Sequence, residues 1–201
     1  MSTALQETPA IPVTLFPPRK IWTREECVAL EVSGLLGQHK YELVLGELIS
    51  RMSKGRLHTI VLMNVLRWLF KAFGEEFVNA ETPIDVAPND NPTNEPQPDL
   101  IVLKKNYDEF RDNPQPRDFH LVVEISDSTL YYDLMVKGPL YARAGISEFW
   151  VVDIQGKQVI VHREPSEGRY SSVVAYACGE TIIPLAAPHA AFPVASAFPS
   201  N

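Results

Sequence analysis

Glu124 sits inside the run Leu121-Val-Val-Glu-Ile125, flanked on both sides by apolar, largely β-branched residues of a kind that favours strands. A carboxylate in a central strand is costly to desolvate unless it is paired or metal-bound. The chain must therefore build a sheet that gives this residue a partner, or else leave it on a solvent-facing side. A second strand-like run, Leu100-Ile-Val-Leu103, opens with Asp99 directly after Pro98. Pro-Asp alone is a common turn pair. Two carboxylates on adjacent strands, however, would form an oxygen-rich pocket suited to a hard cation such as Mg²⁺.

The surrounding pattern alternates strands and helices. Thr23-Arg-Glu-Glu26 reads as a capping box, which predicts a short helix to about Val32. Tyr41 to Arg51 reads as a hairpin or two short strands pinched at Gly46. Arg56 to Phe73 carries apolar residues at helical spacing and is followed by Gly74, so it predicts a largely buried helix. Strands are expected over Phe77 to Ala87, Asp99 to Leu103, Phe119 to Ser126, Glu148 to Ile154, Gln158 to Arg163 and Tyr170 to Tyr176. A helix over about 130–144 should kink at Gly138-Pro139, because Pro139 cannot donate to the carbonyl of Met135. This order predicts an α/β (α+β) domain with a mixed sheet flanked by helices.

Length and composition set the remaining bounds. The chain has 201 residues, enough for one domain or two small ones, and a formal charge of −7. Hydrophobic residues make up 45%, which excludes disorder as the main state. The acidic balance argues against coating nucleic acid through bulk charge but not against a nuclease whose metals and local cations meet the phosphate. Cys27 and Cys178 are far apart and form no CxxC, and no signal peptide or membrane-length apolar run is visible, so a cytoplasmic location and no membrane partner are expected. Prolines crowd both ends. They predict a flexible tail over 1–19, a folded domain over 20–185 and a second flexible tail over 186–201.

No P-loop, GxGxxG, HExxH or GxSxG motif is present. What the chain does contain is an ordered series of separated motifs. These are Tyr41-Glu-Leu-Val-Leu-Gly46-Glu47-Leu, Pro98-Asp99-Leu-Ile-Val, Leu121-Val-Val-Glu124-Ile-Ser-Asp-Ser-Thr129, Asp133 with Lys137, Tyr141-Ala-Arg-Ala-Gly145, and Glu148-Phe-Trp150-Val-Val-Asp153. In this series the chain resembles the Uma2 family of the PD-(D/E)xK restriction-endonuclease-like superfamily, from about residue 41 to 176.

The resemblance implies a restriction-endonuclease-like mixed β-sheet core and a divalent-metal-dependent endonuclease that hydrolyses phosphodiester bonds of DNA, with Mg²⁺ or Mn²⁺ as cofactor. By position, Asp99 matches the superfamily's metal-binding Asp and Glu124 its acidic (D/E)xK residue. The motif lysine is replaced by Ser126. Lys137, on the following helix, matches the lysine of the Uma2-like pattern, although on spacing alone it could simply pair with Asp133. The implied metal ligands are Asp99, Glu124, the carbonyl of Ile125 and Glu47, and the implied catalytic set is Asp99, Glu124 and Lys137 with His58 as an auxiliary. Arg51, Lys54 and Arg56 form a cluster that could meet phosphate or be a solvated loop. Trp150, Tyr141 and Phe149 are expected in the core. Expected partners are nucleic acid, DNA ahead of RNA, and a second copy of the chain as a homodimer. The alternative reading is a catalytically inactive binding or interaction module on the same fold, kept open by Ser126 and the acidic surface.

Overall fold

The computed structural model describes residues 19–37, 39–50 and 54–199. The capping box at Thr23 is formed in both directions and starts α1 (Arg24–Val32). β1 (Tyr41–Val44) and β2 (Glu47–Ser50) make a hairpin whose two loop residues, Leu45 and Gly46, both have positive φ, as a type I′ turn requires. α2 (Arg56–Phe73) follows and ends at Gly74.

The central sheet has six strands: β3 (Val78–Ala80), β4 (Leu100–Leu103), β5 (Phe119–Ser126), β6 (Glu148–Asp153), β7 (Gln158–Ser166) and β8 (Arg169–Ala177). They lie side by side in that order. Only β5 and β6 run parallel, joined by a helical crossover of α3 (Leu130–Tyr132), a π-helical turn over Asp133–Lys137, and α4 (Gly138–Arg143). The sheet is mixed, as expected. The strand expected over Phe77 to Ala87 shrinks to Val78–Ala80. Glu81 adopts a positive φ and Pro83 removes a donor, so the chain leaves the sheet, although Ile84 and Val86 still bury their side chains.

Two apolar layers cover the sheet. One is built by α2 with Val123, Ile125, Trp150 and Val152, the other by the crossover helix with Val122, Phe149 and Val151. The C-terminal segment corrects the sequence reading. Instead of a tail over 186–201, β9 (Thr181–Ile182) pairs with β10 (Phe192–Pro193), and Phe192, Val194, Ala197 and Phe198 enter the α2-side core. The Phe192 ring lies 4.8 Å from Trp68 and 5.5 Å from Trp150. Pro193 is tolerated because its strand has two residues and lies at an edge. Residues 1–18, the body of the expected N-terminal tail, lie outside the described residues. No helix among the described residues is long and apolar enough to cross a membrane.

Candidate active site

The β4–β5 ladder ends at the pair Leu100–Val123. Beyond it, the N–H of Ile125 donates to Asp99 Oδ2 at 2.7 Å instead of to a strand carbonyl. In extended chain the carbonyl of a residue points to the same edge as its N–H, so the Ile125 carbonyl also faces the Asp99 side. Its partner in register would be Pro98, which has no N–H to offer. Side chains alternate along the strands, so Glu124 shares the Val122 face and Asp99 the Ile101 face, the side covered by the crossover helix.

A cavity of about 230 Å³ opens here, lined by Glu42, Lys54, His58, Asp99, Glu124 and Lys137 among others. Asp99 is buried. It accepts a hydrogen bond from the Lys54 ammonium, and His58 Nε2 lies 3.4 Å from its Oδ2. Burial alone would raise its pKa, but the His58 hydrogen bond and the Lys54 charge hold it well below the usual carboxylate range. The buried His58 Nδ1 has no partner among the described residues.

Glu124 Oε1 accepts from Lys137 at 3.0 Å and from the Tyr141 hydroxyl at 2.9 Å. Burial pushes its pKa up to about 8. Lys137 opposes that shift, whereas Asp133, Asp99 and Glu42 add to it. Lys137 is itself buried and also lies 3.0 Å from Glu42 Oε2. Burial disfavours its charge, yet Glu124, Glu42 and Asp133 carry its pKa above the ordinary lysine value.

The backbone explains how a lysine thirteen positions after Glu124 returns to it. The Gly138 N–H bonds to the Asp133 carbonyl, the wide spacing of a π turn, and Pro139 cannot support a regular helical bond. The expected kink is thus a local widening of the helix. Asp133 fastens its start to the end of β5 by accepting from Ser126 Oγ at 2.5 Å and Thr129 Oγ1 at 2.7 Å. Ser126, standing where the motif lysine would be, anchors the helix that carries Lys137.

The structure therefore brings Asp99, Glu124, Ile125, Lys137 and His58 together. Glu47 is not brought in. It shares a face with Glu42 but lies beside the turn, opposite Val44, where it pairs with Arg19 at 2.7 Å. Glu42, two residues farther from the turn than Val44, reaches the pocket instead. Hairpin register was the signal that could have found it. Tyr141 is fully buried as expected of a core residue, but its hydroxyl belongs to the site, which no spacing rule discloses. Trp150 and Phe149 are core residues. Lys54 enters the pocket, Arg56 is exposed, and Arg51 lies outside the described residues.

A family model described as "Putative restriction endonuclease", Uma2, matches residues 25–195. The chain belongs to the Uma2 family. A solved structure described as a "putative nuclease belonging to DUF820", from Anabaena variabilis, is similar to this Uma2 chain, with a TM-score of 0.58 at 12% identity, covering 79% of this chain and 89% of that one. At that identity the likeness shows a shared fold. No curated protein matches.

The Uma2 pocket presents five carboxylates, Glu42, Asp99, Glu124, Asp127 and Asp133, against the ammonium groups of Lys54 and Lys137, a balance that attracts cations. Among the described residues, no three or more His, Cys, Asp or Glu side chains are grouped to hold a metal ion. Mg²⁺ does not need such a cage, because it takes one or two carboxylates and completes its shell with water and phosphate oxygens. Asp99, Glu124 and the Ile125 carbonyl, which faces the Asp99 side, are oxygen donors of the kind that would meet that requirement.

Proposed function

We propose that the protein is a divalent-metal-dependent endonuclease that hydrolyses phosphodiester bonds of DNA. The observation that supports this reading best is the convergence of Asp99, Glu124 and Lys137, drawn from three separate elements, on one pocket beside the Ile125 carbonyl. Asp99, Glu124 and that carbonyl would hold Mg²⁺ or Mn²⁺. When bound, the metal lowers the pKa of coordinated water and offsets charge on the scissile phosphate. Lys137, kept charged by Glu42 and Glu124, donates hydrogen bonds to the attacking water and to the charge that develops on phosphate oxygens. Glu42 fixes the position of that ammonium. His58 orients the Asp99 carboxylate through Oδ2. Water gives up one proton to solvent as it adds to phosphorus, the phosphorus–oxygen bond to the leaving nucleotide breaks, and the leaving oxygen takes up one proton in return.

Incubation of the purified chain with plasmid DNA and Mg²⁺ or Mn²⁺ tests this. Nicked or linear product is expected from the parent and not from Asp99→Ala. Equal cleavage by both would assign the activity to a contaminant. The second reading, a module that binds without cutting, draws on the engagement of Asp99 by Lys54 and His58. Its signature is DNA retention with no cleavage under any metal.

A further inference from the structure

The two lysines of the pocket are held in different ways. Lys137 has 5% of its side chain exposed and is shared by Glu42 and Glu124, both buried. Lys54 has 25% exposed and is shared by one buried and one solvated carboxylate. Its ammonium donates to Asp99 Oδ1 and also lies 2.6 Å from Oε1 of Glu81, a side chain 41% exposed. Backbone geometry places that second carboxylate. The β3–β4 ladder ends at the pair Ala80–Leu100, and the Glu81 N–H then donates to the Asp99 carbonyl at 3.1 Å. Glu81 has a φ of 53°, in the left-handed region that a side chain of this length seldom adopts.

The contacts of Asp99 show which of its oxygens a cation can take. Oδ2 accepts from the Ile125 N–H at 2.7 Å and lies 3.4 Å from His58 Nε2. Those partners belong to a strand and a helix, and they fix the carboxylate. Oδ1 carries the Lys54 ammonium. A dication bound to Oδ1 would stand within about 5 Å of that ammonium, and their repulsion is strong in a partly buried site. Departure of the ammonium into solvent would forfeit its ion pairs. Glu81 already holds it and offers a partner outside the pocket's interior.

We propose that Lys54 is an exchangeable counterion: it occupies Asp99 Oδ1 and yields that oxygen to a divalent cation by moving onto Glu81 alone. The inference rests on the metal-dependent reading of the site. The exchange itself moves no proton, because Lys54 stays charged and one cation replaces another on Asp99. It lowers the net affinity for the metal, since each binding event breaks a charge-assisted hydrogen bond. Lys137 cannot act in this way, because both of its carboxylates are buried. The engagement of Asp99 by Lys54, on which the non-cutting reading draws, is then a reversible arrangement and not a block.

Calorimetric titration of the full chain with Mn²⁺ at neutral pH tests this. Lys54→Met should tighten binding by about tenfold or more, the worth of one hydrogen bond to a charged group. Arg56→Met removes an exposed cation of the same segment and should change the affinity by less than about twofold, because exposed charges are screened. Glu81→Gln should weaken binding in the parent but not in the Lys54→Met background, a coupling that loss of charge alone would not give. A reading on the unaltered chain needs no variant to fold: acylation of lysine amines, located by mass spectrometry. Mg²⁺ should speed acylation of Lys54 severalfold and leave Lys137 protected. Binding no tighter in Lys54→Met, an equal cost of Glu81→Gln in both backgrounds, or Lys54 acylation indifferent to Mg²⁺ would each overturn the exchange. If Mn²⁺ still binds the parent and not Asp99→Ala, the metal-dependent reading survives that result. Failure of Mn²⁺ to bind the parent would overturn both.

Discussion

The Lys137 ammonium lies 3.0 Å from Glu124 Oε1, and neither residue is more than 4% exposed. The same ammonium lies 3.0 Å from the buried Glu42 carboxylate, and removing it leaves that charge uncompensated, at a cost of about 3–5 kcal/mol. Lys137→Met should therefore abolish DNA cleavage and also lower stability by that order, because Glu42 loses its buried cation and Glu124 loses a hydrogen-bond donor. Urea titration gives the second quantity. An inactive variant of unchanged stability would mean that the ammonium does not hold the two carboxylates together.

Acid–base behaviour of the metal-free chain follows from opposite shifts at two neighbours. The folded pKa of Glu124, about 8, exceeds its ordinary value of 4.5, with burial as the leading cause. Its contribution to stability is full below pH 4.5 and is lost as pH rises toward 8. Asp99 is shifted the other way, so its contribution is present above its ordinary 3.8 and is lost in acid. Thermal unfolding in chelator should show stability declining from pH 5 to 8, at a slope of at most about 1.4 kcal/mol per unit for one proton. Glu124→Gln should flatten that decline. The same slope in both proteins would place the proton elsewhere.

Binding of a cation needs both carboxylates ionised, so it releases a proton from Glu124 and weakens in acid. Millimolar Mn²⁺ should raise the unfolding temperature at neutral pH, less so at pH 5, and not at all in Asp99→Ala. An equal rise in that variant would locate the ion at another site.

The C-terminal segment makes a prediction unrelated to chemistry. Phe192 is fully buried between Trp68 and Trp150. Phe192→Ala should cost about 3–5 kcal/mol, measured by denaturant titration. A loss below 1 kcal/mol would show that residues 186–199 dock only loosely.

Local signals in the sequence located most elements, because capping boxes, glycine turns and β-branched runs act over a few residues. The capping box at Thr23, the turn at Gly46 and the strand through Glu124 all form where that chemistry places them. The misreadings were non-local. Proline content marked residues 186–201 as a tail, but whether Phe192 and Val194 are buried depends on a groove made by α2 and β6. Within the site, Asp99, Glu124 and Lys137 were legible from their separated motifs. Glu42 and Tyr141 were not. The first depends on hairpin register and the second on which face of the crossover helix a π turn rotates toward the sheet.

Pro98 carries a consequence for how this fold could evolve. A residue with an amide proton there, such as alanine, would let the β4–β5 ladder grow by one bond and tie up the Ile125 carbonyl. The more cohesive sheet and the more open pocket make opposing demands on one position. Selection for heat resistance alone would favour replacing Pro98, and selection for a vacant carbonyl would keep it.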